Sequence, residues 1–322
     1  MLLTVSLSAL ICICMSDARA QLYNDTTLNK REKLTIGAWI PSHLYLETMQ
    51  GDKQVNVIRS LVSQGFNEYY FVMRDFNNTN ETRAAEKLLN AADTTDLKII
   101  IILLPLAEGG RHASYDWKGW MLYFNKLAEK HTSFLGFAID DFNAVVDIRR
   151  VYLMNNMDLM ELSNFSSALS YKRDDVQFYP VMYVETGEFE TLKKEYDKYY
   201  KAVILVSTLY SNISHLGNDL TNLSKNLDNK PIKFIVYPTY GDFYSPSDRL
   251  LMATLSLTSR LADGIIVYRN TTHPVVQEYL YKNNDPKYMS TLRLMENLQI
   301  KNEILESRRD IVMCTFCLYQ RN

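Results

Sequence analysis

Long hydrophobic runs are scarce in this 322-residue sequence once its first twenty residues have been passed. The later stretch KIIIILLPLA, at residues 98–107, is much shorter than the roughly 20 apolar residues that a membrane-spanning helix requires. It fits a buried strand better. The sequence therefore predicts no transmembrane segment after its leader.

An excess of positive charge is also missing, since the formal net charge is −2. The basic pairs Lys193-Lys194 and Arg308-Arg309 lie among acids and are typical of solvated helix faces, so we expect no nucleic-acid partner. Neither a GxGxxG pattern nor a Walker motif is present, which argues against a nucleotide cofactor. Histidines 43, 112 and 273 do not follow a metal-ligand spacing, and we expect no metal and no cofactor.

Cysteine is rare, with four in the chain. Cys12 and Cys14 lie in the leader, which leaves Cys314 and Cys317 in the motif CTFC near the C-terminus. Two cysteines are too few for a four-ligand zinc site, and a thioredoxin-like pair would begin a helix after a strand. A local disulfide or two free thiols are the favoured interpretations, ahead of a redox function.

The leader, residues 1–20, has an apolar stretch that ends in Ala18-Arg19-Ala20, the small-x-small pattern of a signal-peptidase site. It predicts a secreted, extracellular protein, and the alternative is an uncleaved anchor. Asn-x-Ser/Thr motifs fit a secreted glycoprotein; they begin at Asn24, Asn77, Asn80, Asn164, Asn212, Asn222 and Asn270.

Strand-like and helix-like stretches then alternate eight times, without a linker or a change of composition that would mark a second domain. A polar lead (21–33) and a C-terminal tail (306–322) flank the predicted domain, residues 34–305. The fold class is α/β, a single-domain (β/α)8 TIM barrel, with a doubly wound open sheet as the alternative. Ser245 followed by Pro246 predicts the start of the seventh helix. The predicted strands are 34–40, 68–73, 97–104, 135–139, 177–184, 202–206, 233–237 and 264–268; the predicted helices are 52–64, 81–92, 117–130, 147–169, 189–200, 216–227, 246–261 and 273–305.

In such a barrel the functional residues follow the strands, because the loops at the carboxyl ends converge on the mouth. Acids, aromatic residues and amides predominate there, which is the chemistry of a sugar site. Each residue also has a structural interpretation, as core aromatic, local ion pair or polar helix start. The predicted substrate-binding residues are Trp39, Arg74, Asn143, Tyr183, Tyr237, Tyr240, Asp242 and Tyr268.

The fourth strand ends in two neighbouring acids, Asp140 and Asp141. Because side chains alternate along a strand, Leu135, Phe137 and Ile139 should face the helices and Asp140 should face the barrel mouth. Two adjacent acids resist ionising together, so the pKa of one should rise and provide a proton donor. A capping or loop-ordering role for these acids is the structural alternative.

The stretch FAIDDF on a fourth strand resembles the catalytic strand of substrate-assisted (β/α)8 glycoside hydrolases, in particular the O-GlcNAc hydrolase and hyaluronidase-like group. This resemblance implies that Asp140 orients the substrate's 2-acetamido group and that Asp141 is the general acid/base. The chitinase pattern is absent, because Gly136 and Ala138 stand where its further acids would be. If two opposing carboxylates act instead, Glu185 after strand five is the candidate partner.

The sequence thus predicts a secreted glycosidase that acts on glycans, with N-acetylated sugars as the candidate substrates. The alternative is a non-catalytic barrel that binds carbohydrate, since a fold does not guarantee an activity. A structural or adhesion protein is disfavoured because the sequence has no internal repeat.

Overall fold

The computed structural model describes residues 34–40, 53–104, 116–142, 165–185, 189–207, 213–239 and 246–283. Eight parallel strands pair in sequence order and close into a barrel. Closure occurs where β1 pairs with β8, from Thr35 opposite Gly264 to Trp39 opposite Tyr268. The strands are β1 (Thr35–Ile40), β2 (Glu68–Met73), β3 (Lys98–Leu103), β4 (Phe134–Ile139), β5 (Gln177–Tyr183), β6 (Val203–Val206), β7 (Ile232–Val236) and β8 (Gly264–Tyr268).

An α-helix follows each strand within the described residues, so the predicted (β/α)8 barrel is confirmed and the open sheet is excluded. None of the helices in these ranges is both long enough and apolar enough to cross a membrane. The helices are α1 (Lys53–Ser63), α2 (Thr79–Ala92), α3 (Trp117–Lys130), α4 (Phe165–Ala168, continued by a 3-10 turn over Leu169–Tyr171), α5 (Phe189–Tyr196), α6 (Ile213–Asn226), α7 (Asp248–Leu261) and α8 (Pro274–Asn283).

The start of α7 differs from the prediction. Ser247, not Ser245, is the N-cap, and its hydroxyl accepts a hydrogen bond from the backbone N–H of Leu250. Pro246 therefore lies before the cap. Two serines flank this proline, and the one that is followed by Asp248 in the first turn satisfies the free N–H groups of the helix.

The barrel interior is filled by large apolar and aromatic side chains from alternate positions of each strand. Ala138 belongs to this interior set, whereas Phe137 packs against Phe124 of α3 with ring centroids 4.7 Å apart. The predicted facing of these two residues is therefore confirmed. The buried interior set is Trp39, Tyr70, Val72, Ile100, Ile102, Ala138, Tyr179, Val181, Ala202, Ile204, Val206, Ile235, Tyr237 and Ile266.

The prediction that Leu135 faces the helices is wrong. The pairing of β3 with β4 shifts between Ile99 and Ile100, and this bulge turns Leu135 toward the interior set. Gly136 lies beside the bulge at φ +157°, where an added Cβ would stand 2.0 Å from the carbonyl oxygen of Gln177. Only glycine allows β5 to approach β4 this closely.

A buried polar cluster closes the amino-terminal end of the barrel, which we call the floor. Glu68 of β2 pairs with the ammonium of Lys233 of β7, and both residues are buried. The Tyr70 hydroxyl donates to the second oxygen of Glu68 at 2.7 Å, and burial together with this carboxylate raises the pKa of Tyr70. Gly37 provides the space, since a Cβ there would lie 2.4 Å from the Tyr70 ring.

A second polar contact joins two loops at the same end of the barrel. Asp93 after α2 accepts hydrogen bonds from the ring of His131 at 2.8 Å and from the backbone N–H of Ser133 at 2.8 Å. Burial alone would raise the pKa of Asp93, but these hydrogen bonds outweigh it and hold that pKa below its ordinary value.

Candidate functional site

The Asp140-Asp141 turn is held on both sides by neighbouring strands. The backbone N–H of Asp140 donates to the carbonyl of Leu103 on β3 at 2.9 Å, and that of Phe142 donates to Val181 on β5 at 2.9 Å. Phe142 is fully buried among the rings of Phe165, Phe178 and Tyr196. The two half-buried acids thus stand between anchored neighbours at the carboxyl end of β4.

Asp141 has a backbone conformation that is rare for a non-glycine residue. Its φ is +45°, in the left-handed region, and its N–H donates to the Asp140 carboxylate at 3.0 Å. The expectation from strand alternation that Asp140 faces the mouth, on the same side as Ala138, stays a prediction, and the left-handed residue Asp141 follows the end of the strand. Backbone strain of this kind costs about 1–3 kcal/mol and is frequent at functional positions.

Glu185 lies at the mouth one strand further along the barrel. It is exposed, and its carboxylate accepts a hydrogen bond from the buried hydroxyl of Ser207 at 2.5 Å. The pairing of β5 with β6 continues one residue past the end of β5, because the N–H of Val184 donates to the carbonyl of Val206 at 2.8 Å. This extension fixes Glu185 and Ser207 side by side, so three acids follow the adjacent strands β4 and β5.

Aromatic side chains form an arc on the opposite side of the mouth, over β7, β8 and β1. The ring centroids of Tyr237 and Tyr268 are 4.9 Å apart, and those of Tyr268 and Trp39 are 5.5 Å apart. In an eight-stranded closed order β8 is four strands from β4, so the arc faces the acids across the barrel.

Burial distinguishes the members of this arc. Trp39 is 3% exposed and Tyr237 is 9% exposed, so both rings are part of the top layer of the core. Tyr268 and Tyr183 are only partly buried and offer ring surface at the mouth. Arg269, at φ +65°, places its guanidinium 5.1 Å from the centre of the Tyr268 ring.

The backbone of the loop after β2 is hydrogen-bonded to a buried acid that was not among the predicted site residues. Glu81, 4% exposed, accepts hydrogen bonds from the backbone N–H groups of Arg74 at 2.7 Å and Asp75 at 3.1 Å. Asn78 caps α2 through its side-chain oxygen. The spacing Asn78-x-x-Glu81 is close to a capping box and could have indicated this role.

Three predicted binding residues, Asn143, Tyr240 and Asp242, lie outside the described residues, as do Cys314 and Cys317. In the parts of the chain that are described, no three His, Cys, Asp or Glu side chains are grouped so that they could hold a metal ion. The expected rise of one pKa within the Asp140-Asp141 pair stays a prediction.

The comparisons with known proteins point to the fold. No protein-family model matches the sequence, and no curated protein sequence matches it. Among solved structures, an endo-1,4-beta-mannanase from Eisenia fetida is similar with a TM-score of 0.51 at 12% identity, over 78% of this chain and 91% of that one. The beta-glucuronidase of Bacteroides uniformis gives a TM-score of 0.50 at 10% identity, over 74% of this chain but 30% of that longer one. At such identities the likeness concerns architecture, and the chain has the (β/α)8 barrel fold that these glycoside hydrolases share.

Proposed function

We propose that this protein is an exported glycosidase that acts on glycans and that Asp140 and Asp141 carry the reaction. The observation that carries the proposal is the ordered, strained turn of these two acids at the carboxyl end of β4, opposite an aromatic arc. Carboxylates on one side and ring faces on the other suit a pyranose, whose hydroxyls need hydrogen bonds and whose apolar face needs a flat surface.

Each acid has a separate role in the proposed reaction. Asp141 protonates the glycosidic oxygen as the bond to the leaving group breaks. Asp140 orients the substrate's 2-acetamido group, whose oxygen attacks the anomeric carbon, so we propose N-acetylated sugars as substrates. The N–H of Asp141 supports this assignment, because a charge-assisted hydrogen bond holds the Asp140 carboxylate in place.

Tyr268 and Tyr183 are the proposed contacts for the sugar ring, with Arg74 and, outside the described residues, Asn143, Tyr240 and Asp242 as further binding residues. Trp39 and Tyr237 support Tyr268 from below through their ring contacts. Because they are buried, their proposed role is to fix the shape of the site.

The test is the release of fluorophore from aryl glycosides, including the N-acetylglucosaminide and the N-acetylgalactosaminide, by the purified mature chain. Asp140→Asn and Asp141→Asn should each lower turnover by about a hundredfold or more. Asp96→Asn is the matched control, since Asp96 is exposed in the loop between α2 and β3 at the other end of the barrel, and it should retain full activity.

The outcomes separate the candidate mechanisms. Activity that survives both changes but disappears in Glu185→Gln would move the reaction to the acid that Ser207 positions. Binding of glycans without turnover, measured by calorimetry with N-acetylated oligosaccharides, would replace the enzyme by a carbohydrate-binding barrel. Absence of both binding and turnover would refute the proposal.

Export is proposed from residues 1–20 and from the cleavage pattern Ala18-Arg19-Ala20. Cleavage after Ala20 leaves Gln21 as the first residue of the mature protein. N-terminal sequencing of the protein from the culture medium tests this directly, and retention of Met1 in a membrane fraction would favour an anchor.

A further inference from the structure

Two N-glycosylation motifs lie where the loop after β2 leads into α2: Asn77-Asn78-Thr79 spans the end of the loop, and Asn80-Glu81-Thr82 lies in the first turn of the helix. Both lie at the mouth side of the barrel, because this loop follows the carboxyl end of a strand. Three asparagines thus occur within four residues, and the fold uses them differently.

Asn78 belongs to the fold. Its side-chain oxygen accepts the backbone N–H groups of Asn80 at 3.0 Å and Glu81 at 3.4 Å, and so caps α2. Asn77 and Asn80 are exposed, and their side-chain amides make no hydrogen bond within the described part of the chain. The asparagine that the fold needs does not begin a motif, whereas the two that begin motifs point to solvent.

The remaining described motifs are less suited to carry a glycan at the mouth. Asn270 is half-buried, and its side-chain oxygen accepts the hydroxyl of Thr272 at 3.2 Å. Asn222 is exposed but lies three turns into α6, away from the strand ends, whereas Asn80 is in the first turn of its helix at the mouth. The other motifs, at Asn24, Asn164 and Asn212, lie outside the described residues.

We propose that Asn77 and Asn80 are glycan acceptors, so that the β2–α2 rim of the mouth carries at least one N-linked glycan. The inference rests on the proposed export. In the reaction a lipid-linked diphosphate oligosaccharide is the donor. The Asn side-chain nitrogen bonds to the anomeric carbon and loses a proton, and the lipid diphosphate leaves.

The rim geometry accommodates this modification. A glycan on either amide extends into solvent without displacing a contact of the fold, while Glu81 keeps the loop in place through the N–H groups of Arg74 and Asp75. The glycan is therefore attached next to the strand end that carries Arg74, at the rim of the mouth.

The experiment expresses the full chain in cultured eukaryotic cells, once behind its own leader and once behind a host secretion signal. The secreted protein is treated with an amidase that removes N-glycans and converts each glycosylated Asn to Asp, and the peptide with residues 77–82 is analysed by mass spectrometry. Conversion of Asn77 or Asn80 is expected. Asn77→Gln/Asn80→Gln should remove at least one glycan, whereas Asn90→Gln, an exposed asparagine of α2 outside any motif, should remove none.

An unconverted peptide in protein secreted behind the host signal overturns the inference. Retention behind the native leader, with conversion behind the host signal, overturns the proposed export and leaves the acceptor sites supported. Loss of thermal stability in Asn77→Gln or Asn80→Gln, relative to wild type, when each chain is produced in bacteria without N-glycans, would contradict the assignment of both side chains as external to the fold.

Discussion

The ion pair in the barrel floor provides the sharpest test of how this fold is stabilised. Lys233→Met is expected to lower the free energy of unfolding by about 3–5 kcal/mol, because it leaves the Glu68 carboxylate buried without its cation. Glu68 is 4% exposed, and its remaining donor among the described residues is the Tyr70 hydroxyl at 2.7 Å. The expected loss is large beside a typical total stability of about 5–15 kcal/mol.

A double-mutant cycle separates uncompensated charge from lost packing. In Glu68→Gln/Lys233→Met the glutamine carbonyl still accepts the Tyr70 hydroxyl, so we expect a stability within about 2 kcal/mol of wild type. Urea unfolding followed by circular dichroism gives the free energy of unfolding of each variant. Lys194→Met, on the exposed face of α5, is the control and should change this free energy by less than about 0.5 kcal/mol. A double variant as unstable as the sum of the single variants would refute the role of charge.

Substitutions at Gly136, Asp93, Asn78 and Ser207 test four other features of the structure. Gly136→Ala should lower the free energy of unfolding in urea by at least about 2 kcal/mol, because the new Cβ clashes with β5. Gly217→Ala in α6 is the control: a Cβ there makes ordinary contacts at 3.7 Å, so this change should stabilise the protein by about 0.5–1 kcal/mol. Equal effects of the two changes would exclude the close approach of β5 to β4. The folded-state pKa of Asp93 is lowered, so this residue contributes stability that is present above its unfolded pKa of roughly 3.9 and is lost as the pH falls through the folded pKa. The free energies of unfolding of wild type and Asp93→Asn should therefore differ most above roughly pH 5 and converge in acid. A difference that does not change with pH would contradict this. Asn78→Ala should cost about 1 kcal/mol in thermal unfolding through loss of the helix cap, and an unchanged Tm would dismiss the cap. Because Asp140 and Asp141 carry the proposed reaction, Ser207→Ala should leave glycoside turnover within about twofold of wild type; a loss of about tenfold or more, with a shifted pH profile that Ser207→Thr restores, would bring Glu185 into the reaction.

The strand pattern was readable from the sequence because each strand is a short, nearly continuous apolar run. The bounds of β2 and β8 agree with the prediction at both ends, and those of the other strands differ by one residue at one or both ends. Parallel strands that are buried on both faces produce this signal. The start of the seventh helix was predicted two residues too early, because Ser245-Pro246 has the pattern of a cap followed by a first-turn proline, whereas Ser247 is the cap.

The floor and the buried acid Glu81 of α2 could not be predicted in the same way. Glu68 and Lys233 are separated by 165 residues, and only the closed barrel brings them together. In the sequence, Glu81 is an ordinary acid near the start of a helix. Only the structure shows that the backbone N–H groups of Arg74 and Asp75 both donate to its carboxylate. The bulge that turned Leu135 inward is likewise a property of two strands, not of one.

Closure of the barrel also bears on how the chain reaches its native state. β1 finds its second partner only when β8 is available, more than 220 residues later in the sequence, so folding depends on very distant pairing and should be slow. Until then Ile100 and Ile102 of β3, which has the sequence KIIIIL, lack the interior partners that the later strands supply. A short aliphatic run of this kind, whose single charge is at its first residue, pairs readily with copies of itself. We therefore expect aggregation through β3 before closure, rather than weakness of the finished barrel, to limit the yield of soluble protein.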